Sequence, residues 1–170
     1  MSKILLSLAA VLLIAVGAFG GTSANFTASP ITIASNAFAS GSLTMTRSGS
    51  GAILSASAMK IGDSVTGSVT ITNTGTLAGV YSLAGSTSGS AVLAAQLNLK
   101  VYKDVDGGTA LYDGSLAGIS SAALGTFAAG GDAHIFYVHV TLPTTGTDAG
   151  DNLLQGLSAS TTFTWSATQA

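Results

Sequence analysis

Seven aspartates, two histidines and an abundance of hydroxyls are the side chains from which this 170-residue sequence could build a chemical site. Cysteine and glutamate are absent. A His-Glu-x-x-His zinc helix therefore cannot be written, because its general base is Glu. His134 and His139 lie five apart in a run that reads as a strand, and alternation points them to opposite faces. Two such rings do not chelate one metal from a straight strand. The 23 serines include none in a Gly-x-Ser-x-Gly elbow. No catalytic residue is assigned, and the chain is expected not to be an enzyme.

The remaining chemistry-bearing spacing is Asp104-Val-Asp106-Gly-Gly108 with Asp113 beyond it. It resembles half of a calcium loop, but a full loop needs more oxygen ligands and a bidentate Glu. A hairpin turn uses the same Asp and Gly residues. Asp104, Asp106 and Asp113 are thus the calcium candidates at most, and no metal and no cofactor is expected. Asp148 and Asp151 repeat the idea with fewer ligands. Leu142-Pro-Thr-Thr-Gly146 spells a cell-wall sorting motif, yet no Lys or Arg follows it. It reads instead as a turn ending a strand.

The elements that would carry these residues are strands. Gly, Ser and Thr dominate the sequence, Lys and Arg number only 5, and the helix-favouring charged residues barely appear. So few cations leave no basic footprint, which excludes a nucleic-acid partner. Val65, Val69 and Ile71 alternate with Thr66, Ser68, Thr70 and Thr72 before the turn Asn73-Thr-Gly75. Leu43 and Met45 behave alike, as do Leu97, Leu99 and Val101. Residues 80–83 form another short run, and 106–108 make a hairpin turn into 110–112. Residues 135–142 are almost continuously apolar, and Pro143 stops them. Residues 161–168 set Phe163 and Trp165 on one face against Thr162, Thr164 and Ser166 on the other. Residues 115–129 are expected to hold a helical turn, with Gly118 and Gly125 arguing against a longer helix. Seven or more strands at this spacing predict an all-β β-sandwich or jelly roll, as a single domain over 41–170.

The first 24 residues read as a secretory signal. Lys3 precedes an uncharged run over 4–19, and small residues lead to cleavage after Ala24, between Ala24 and Asn25. Signal peptidase is the implied processing partner, and the mature chain is expected to be secreted. Residues 25–40 then form an uncharged N-terminal segment. Its part 25–34 favours strand, and an exposed strand of that kind pairs with its own sheet or with another chain. Pro30 lacks an N–H, and Phe26 has the opposite parity to Ile31 and Ile33. A bulge at Pro30 would reconcile them; otherwise only one side of Pro30 inserts.

Several segments together resemble the TasA/camelysin family of secreted biofilm-matrix fibre proteins. They are Asn36-Ala-Phe-Ala-Ser-Gly-Ser-Leu43, Ile61-Gly-Asp-Ser-Val-Thr66, Ile71-Thr-Asn-Thr-Gly-Thr-Leu77, Val101-Tyr-Lys-Asp104, Gly108-Thr-Ala-Leu-Tyr-Asp-Gly114, Val140-Thr-Leu-Pro143 and Thr162-Phe-Thr-Trp-Ser-Ala-Thr-Gln169. The resemblance implies a jelly roll and polymerisation by donor-strand exchange. Asn25, Phe26, Thr27, Ala28, Ile31 and Ile33 would be the subunit-interface residues. Some members carry a metallopeptidase label, to which these residues lend no support.

The expected function is accordingly a secreted structural subunit of extracellular matrix filaments, partnered with itself and with other matrix proteins or polysaccharide. A monomeric extracellular binding module and the family's metallopeptidase are the alternatives.

Overall fold

The computed structural model describes residues 39–170. The expected signal sequence and donor segment, with Ala24, Asn25, Phe26, Thr27, Ala28, Ile31 and Ile33, lie outside the described residues. The described chain forms eight strands: β1 (Met45–Arg47), β2 (Ser64–Asn73), β3 (Gly79–Gly89), β4 (Asn98–Lys103), β5 (Ala110–Ser115), β6 (Ala122–Phe127), β7 (Asp132–Thr141) and β8 (Ala159–Gln169). Two short helices, α1 (Ala91–Gln96) and α2 (Asp148–Asn152), and a 3-10 turn over Leu116–Gly118 connect them. The strands make two antiparallel sheets, ordered β1-β2-β7-β4-β5 and β6-β3-β8. The fold is the expected all-β sandwich.

Two-residue alternation builds the core. Val69 and Ile71 on β2, Leu99 and Val101 on β4, and Phe136 and Val138 on β7 turn inward from the larger sheet and are fully buried. Tyr81 and Leu83 on β3 and Leu124 and Phe127 on β6 meet them from the smaller one. Phe127 joins the sheets. Its ring stacks on Tyr81 at 4.0 Å and lies parallel to Phe136 at 6.2 Å, while His134 meets it edge-on at 4.6 Å. Lys103 Nζ sits 4.8 Å above the same ring and donates to Leu124 O.

The strand β6 lies inside 115–129, where only a helical turn was expected. The turn exists over Leu116–Gly118, but a strand follows it. The alternation of β6 is interrupted. Tyr81 pairs with Gly125 and Ser82 with Ala123, so one residue is extra, and Gly125 takes φ 90°. This bulge lets Leu124 and Phe127 both face inward, three residues apart, and that spacing hides the period of two. The helix α1 was also not expected. Ser90 caps it by accepting from Leu93 N at 3.3 Å, and its few residues carry the chain between sheets.

The pairings β2 with β7, β3 with β6 and β4 with β5 are nested, as in a long hairpin rolled across two sheets. That is the jelly-roll arrangement. Continuing it outward would set a first strand against β8. Instead β1 pairs with β2, Met45 opposite Asn73. Among the described residues no strand lies on the far side of β8.

Because Phe127 contacts both sheets, Phe127→Ala is expected to destabilise the domain by about 3–5 kcal/mol. A thermal melt would show this as a Tm lowered by roughly ten degrees or more.

Candidate functional site

The acidic turn after β4 is occupied by its neighbours. Lys103 pairs with Phe136, so the turn runs alongside the start of β7. Asp104 adopts φ 62° and accepts from Ile135 N at 3.1 Å, while its other oxygen lies 2.7 Å from His134 Nδ1. The second ring nitrogen of His134 is 3.5 Å from Asp132. Asp106 approaches His139 Nε2 to 2.7 Å, at an angle that falls short of a hydrogen bond. Asp113 is engaged elsewhere, 3.0 Å from Lys100 Nζ and accepting from Asn98. Hydrogen bonding by Lys100 holds its carboxyl below the usual aspartate range, and the same contact raises Lys100. The structure thus brings Asp104 and Asp106 to two different histidines and leaves Asp113 on the Lys100 side chain.

His134 shares the inward parity of Phe136, whereas His139 turns to the opposite face and packs edge-on against Tyr102 at 5.1 Å. A catalytic zinc takes three protein ligands and an open position. Among the described residues no group of three His or Asp side chains is arranged to hold a metal ion. Both nitrogens of His134 already face carboxylates, and a 2.7 Å contact leaves no space for an intervening ion. The donor set does not fit a zinc centre.

Asp151 performs the tightest polar clasp. One oxygen accepts from Thr145 N at 2.6 Å and Thr145 Oγ1 at 2.7 Å, and the other from Thr144 Oγ1 at 2.8 Å. Residues 142–146 are therefore a pinned turn after β7, as expected of that motif. These hydrogen bonds, led by the Thr145 backbone, hold the Asp151 carboxyl below its ordinary value.

The feature best placed to act on another molecule is a groove of about 310 Å³ between the outer strands of the sheets. Met45, Thr46 and Arg47 of β1 and Ile71 of β2 line one side, and Phe163, Thr164 and Trp165 of β8 the other. Thr161, Phe163, Trp165 and Ala167 all face inward but are only half-buried, unlike the inner residues of β7. Phe163 and Trp165 meet edge-on, their ring centres 6.2 Å apart. The Trp165 Nε1 donor is buried with no acceptor among the described residues. Sequence reasoning placed Phe163 and Trp165 on one face but assigned them no role. The available signal was a long strand, without charge or proline, at which an edge could be left open.

A family model described as camelysin metallo-endopeptidase matches residues 3–106. No curated protein matches the chain.

The low-lying carboxyls of Asp151 and Asp113 make acid stability a test of these clasps. Each titrates lower folded than unfolded, so its stabilisation is complete above the unfolded value, near pH 4, and is lost as pH falls through the folded one. Tm is expected to decline on acidification below about pH 4, and Asp151→Asn to flatten part of that decline, as read by melts at successive pH values.

Proposed function

The chain belongs to the camelysin metallo-endopeptidase family, and from that premise we propose that it is a secreted structural subunit of extracellular matrix filaments, joined by strand addition. The observation that carries this reading is the edge of β8 that has no neighbour among the described residues, beside a groove lined by Phe163, Trp165 and Ile71. An eleven-residue edge strand without charge or proline templates pairing with another chain. Residues 25–34, uncharged and strand-favouring, supply a strand of the right kind. Ile side chains entering the groove contribute about 1.5–3 kcal/mol each. New backbone hydrogen bonds contribute about 1 kcal/mol each. Together these offset an association cost of roughly 4–15 kcal/mol. Because donor and groove are different surfaces, the contact is head-to-tail and does not close, which yields filaments. Cleavage after Ala24 frees the donor, and other matrix proteins or polysaccharide would contact the hydroxyl-rich faces.

Electron microscopy tests the reading. Protein beginning at Asn25 is expected to form filaments, and protein beginning at Ser35 to remain dispersed. Filaments from both would remove the donor segment from the mechanism, and dispersed protein from both would remove the filament.

The family's descriptive name favours a second reading, a metal-dependent peptidase. Mature protein given zinc is expected to leave an unstructured protein substrate intact, and chelator to leave Tm unchanged. Stoichiometric zinc with cleavage of that substrate would overturn the structural reading.

A further inference from the structure

The hydrogen bonds flanking β8 reveal which of its backbone groups face the groove. Ser90 N donates to Ser158 O at 2.8 Å, and Ala170 N to Ala78 O at 3.1 Å. Between them β3 and β8 pair without interruption, from Gly89 opposite Ala159 to Gly79 opposite Gln169. In antiparallel pairing successive residues turn their N–H and C=O to opposite sides. The even-numbered residues of β8 therefore bond β3. Independently, Gly85 N donates to Ile119 O, away from β8, which leaves the neighbours of Gly85 to bond it. The free edge consequently belongs to Ala159, Thr161, Phe163, Trp165 and Ala167, whose side chains are the inward-facing ones.

A strand added antiparallel to this edge must likewise present the backbone groups of its inward-facing residues, because directly opposed residues share a face. Resting on the filament reading above, we propose that residues 29–35 of a second copy pair antiparallel with β8, Ile31 opposite Trp165 and Ile33 opposite Phe163. Both aromatic residues line the groove from β8, with Thr164 between them. Pro30 then lies outward opposite Ser166, where its missing N–H faces away from β8. No bulge is needed. A parallel strand would instead turn the backbone of Pro30 toward β8 and lose a hydrogen bond. Phe26 has outward parity and stays out of the groove, so the side of Pro30 that inserts is the C-terminal one.

The chain has no cysteine, so engineered pairs report pairing without background. Thr32 and Thr164 would form an outward, non-hydrogen-bonded pair with Cα atoms about 4.5 Å apart, within disulfide range. Assembled under reducing conditions and then mildly oxidised, Thr32→Cys/Thr164→Cys is expected to give a covalent ladder in denaturing gels. Ala34→Cys/Thr162→Cys should do the same, while Ala34→Cys/Ser166→Cys stays monomeric. Ile31→Asp and Ile33→Asp should abolish filaments that Phe26→Ser retains. In filaments the amides of Phe163 and Trp165 should exchange at least about tenfold more slowly than in protein beginning at Ser35, with Thr162 and Thr164 protected in both. Filaments that link 34 to 166, or that link neither designed pair, would overturn this register while leaving the filament reading intact. Links formed within one chain would overturn the second copy as the occupant. Loss of filaments from unaltered mature protein would overturn both.

Discussion

A β-strand carries hydrogen-bonding groups along both long edges, and β8 has a neighbour among the described residues on only one of them. The consequence is sharpened by alternation. The residues of β8 with backbone groups on the free side are the ones whose side chains face the core. An unpaired edge and an incompletely covered core are here one feature, and a single added strand would resolve both. The other edges differ. β1 is three residues long, β5 carries Asp113, and β6 is bent by the bulge at Gly125. Shortness, charge and bulges are ordinary protections of sheet edges, and β8 has none of them.

The charged residues have local tasks. Asp104 and Asp106 tie the turn after β4 to the two histidines of β7, and Asp151 pins the turn after it. Asn73, a buried polar side chain, donates to Leu77 O and Ala128 O and accepts from Gly75 N. It joins the turn after β2 to the loop between β6 and β7. Asp104, Asp113, Asp132 and Asp151 each accept a hydrogen bond from a neighbour in the sandwich. Among the described residues no metal-holding group of His and Asp is formed.

Most strands were legible because their alternation is unbroken. β2, β7 and β8 turn every second residue toward the core, and β4 does so at Leu99 and Val101. The miss at β6 has a specific cause. A bulge inserts one residue, the inward positions fall at 124 and 127, and a helical spacing is counterfeited. α1 was missed because six residues are too few to show a helical period, although its Ala, Leu and Gln residues favour a helix. The Asp–His pairings were invisible for another reason: thirty residues separate Asp104 from His134, and only the β4–β7 register brings them together.

Composition and alternation by themselves determined the class of this protein. Without Glu or Cys, thiolate sites and His-Glu-x-x-His zinc helices could not be written before any fold was known. The same patterns determined a β-sandwich and set Phe163 beside Trp165. They could not say which strand would be left at an edge, since edge and centre strands obey the same period of two. Only the tertiary structure decided that, by placing β1 on β2 and leaving β8 with no neighbour on one side among the described residues, because strand order is set by contacts between segments far apart in the chain.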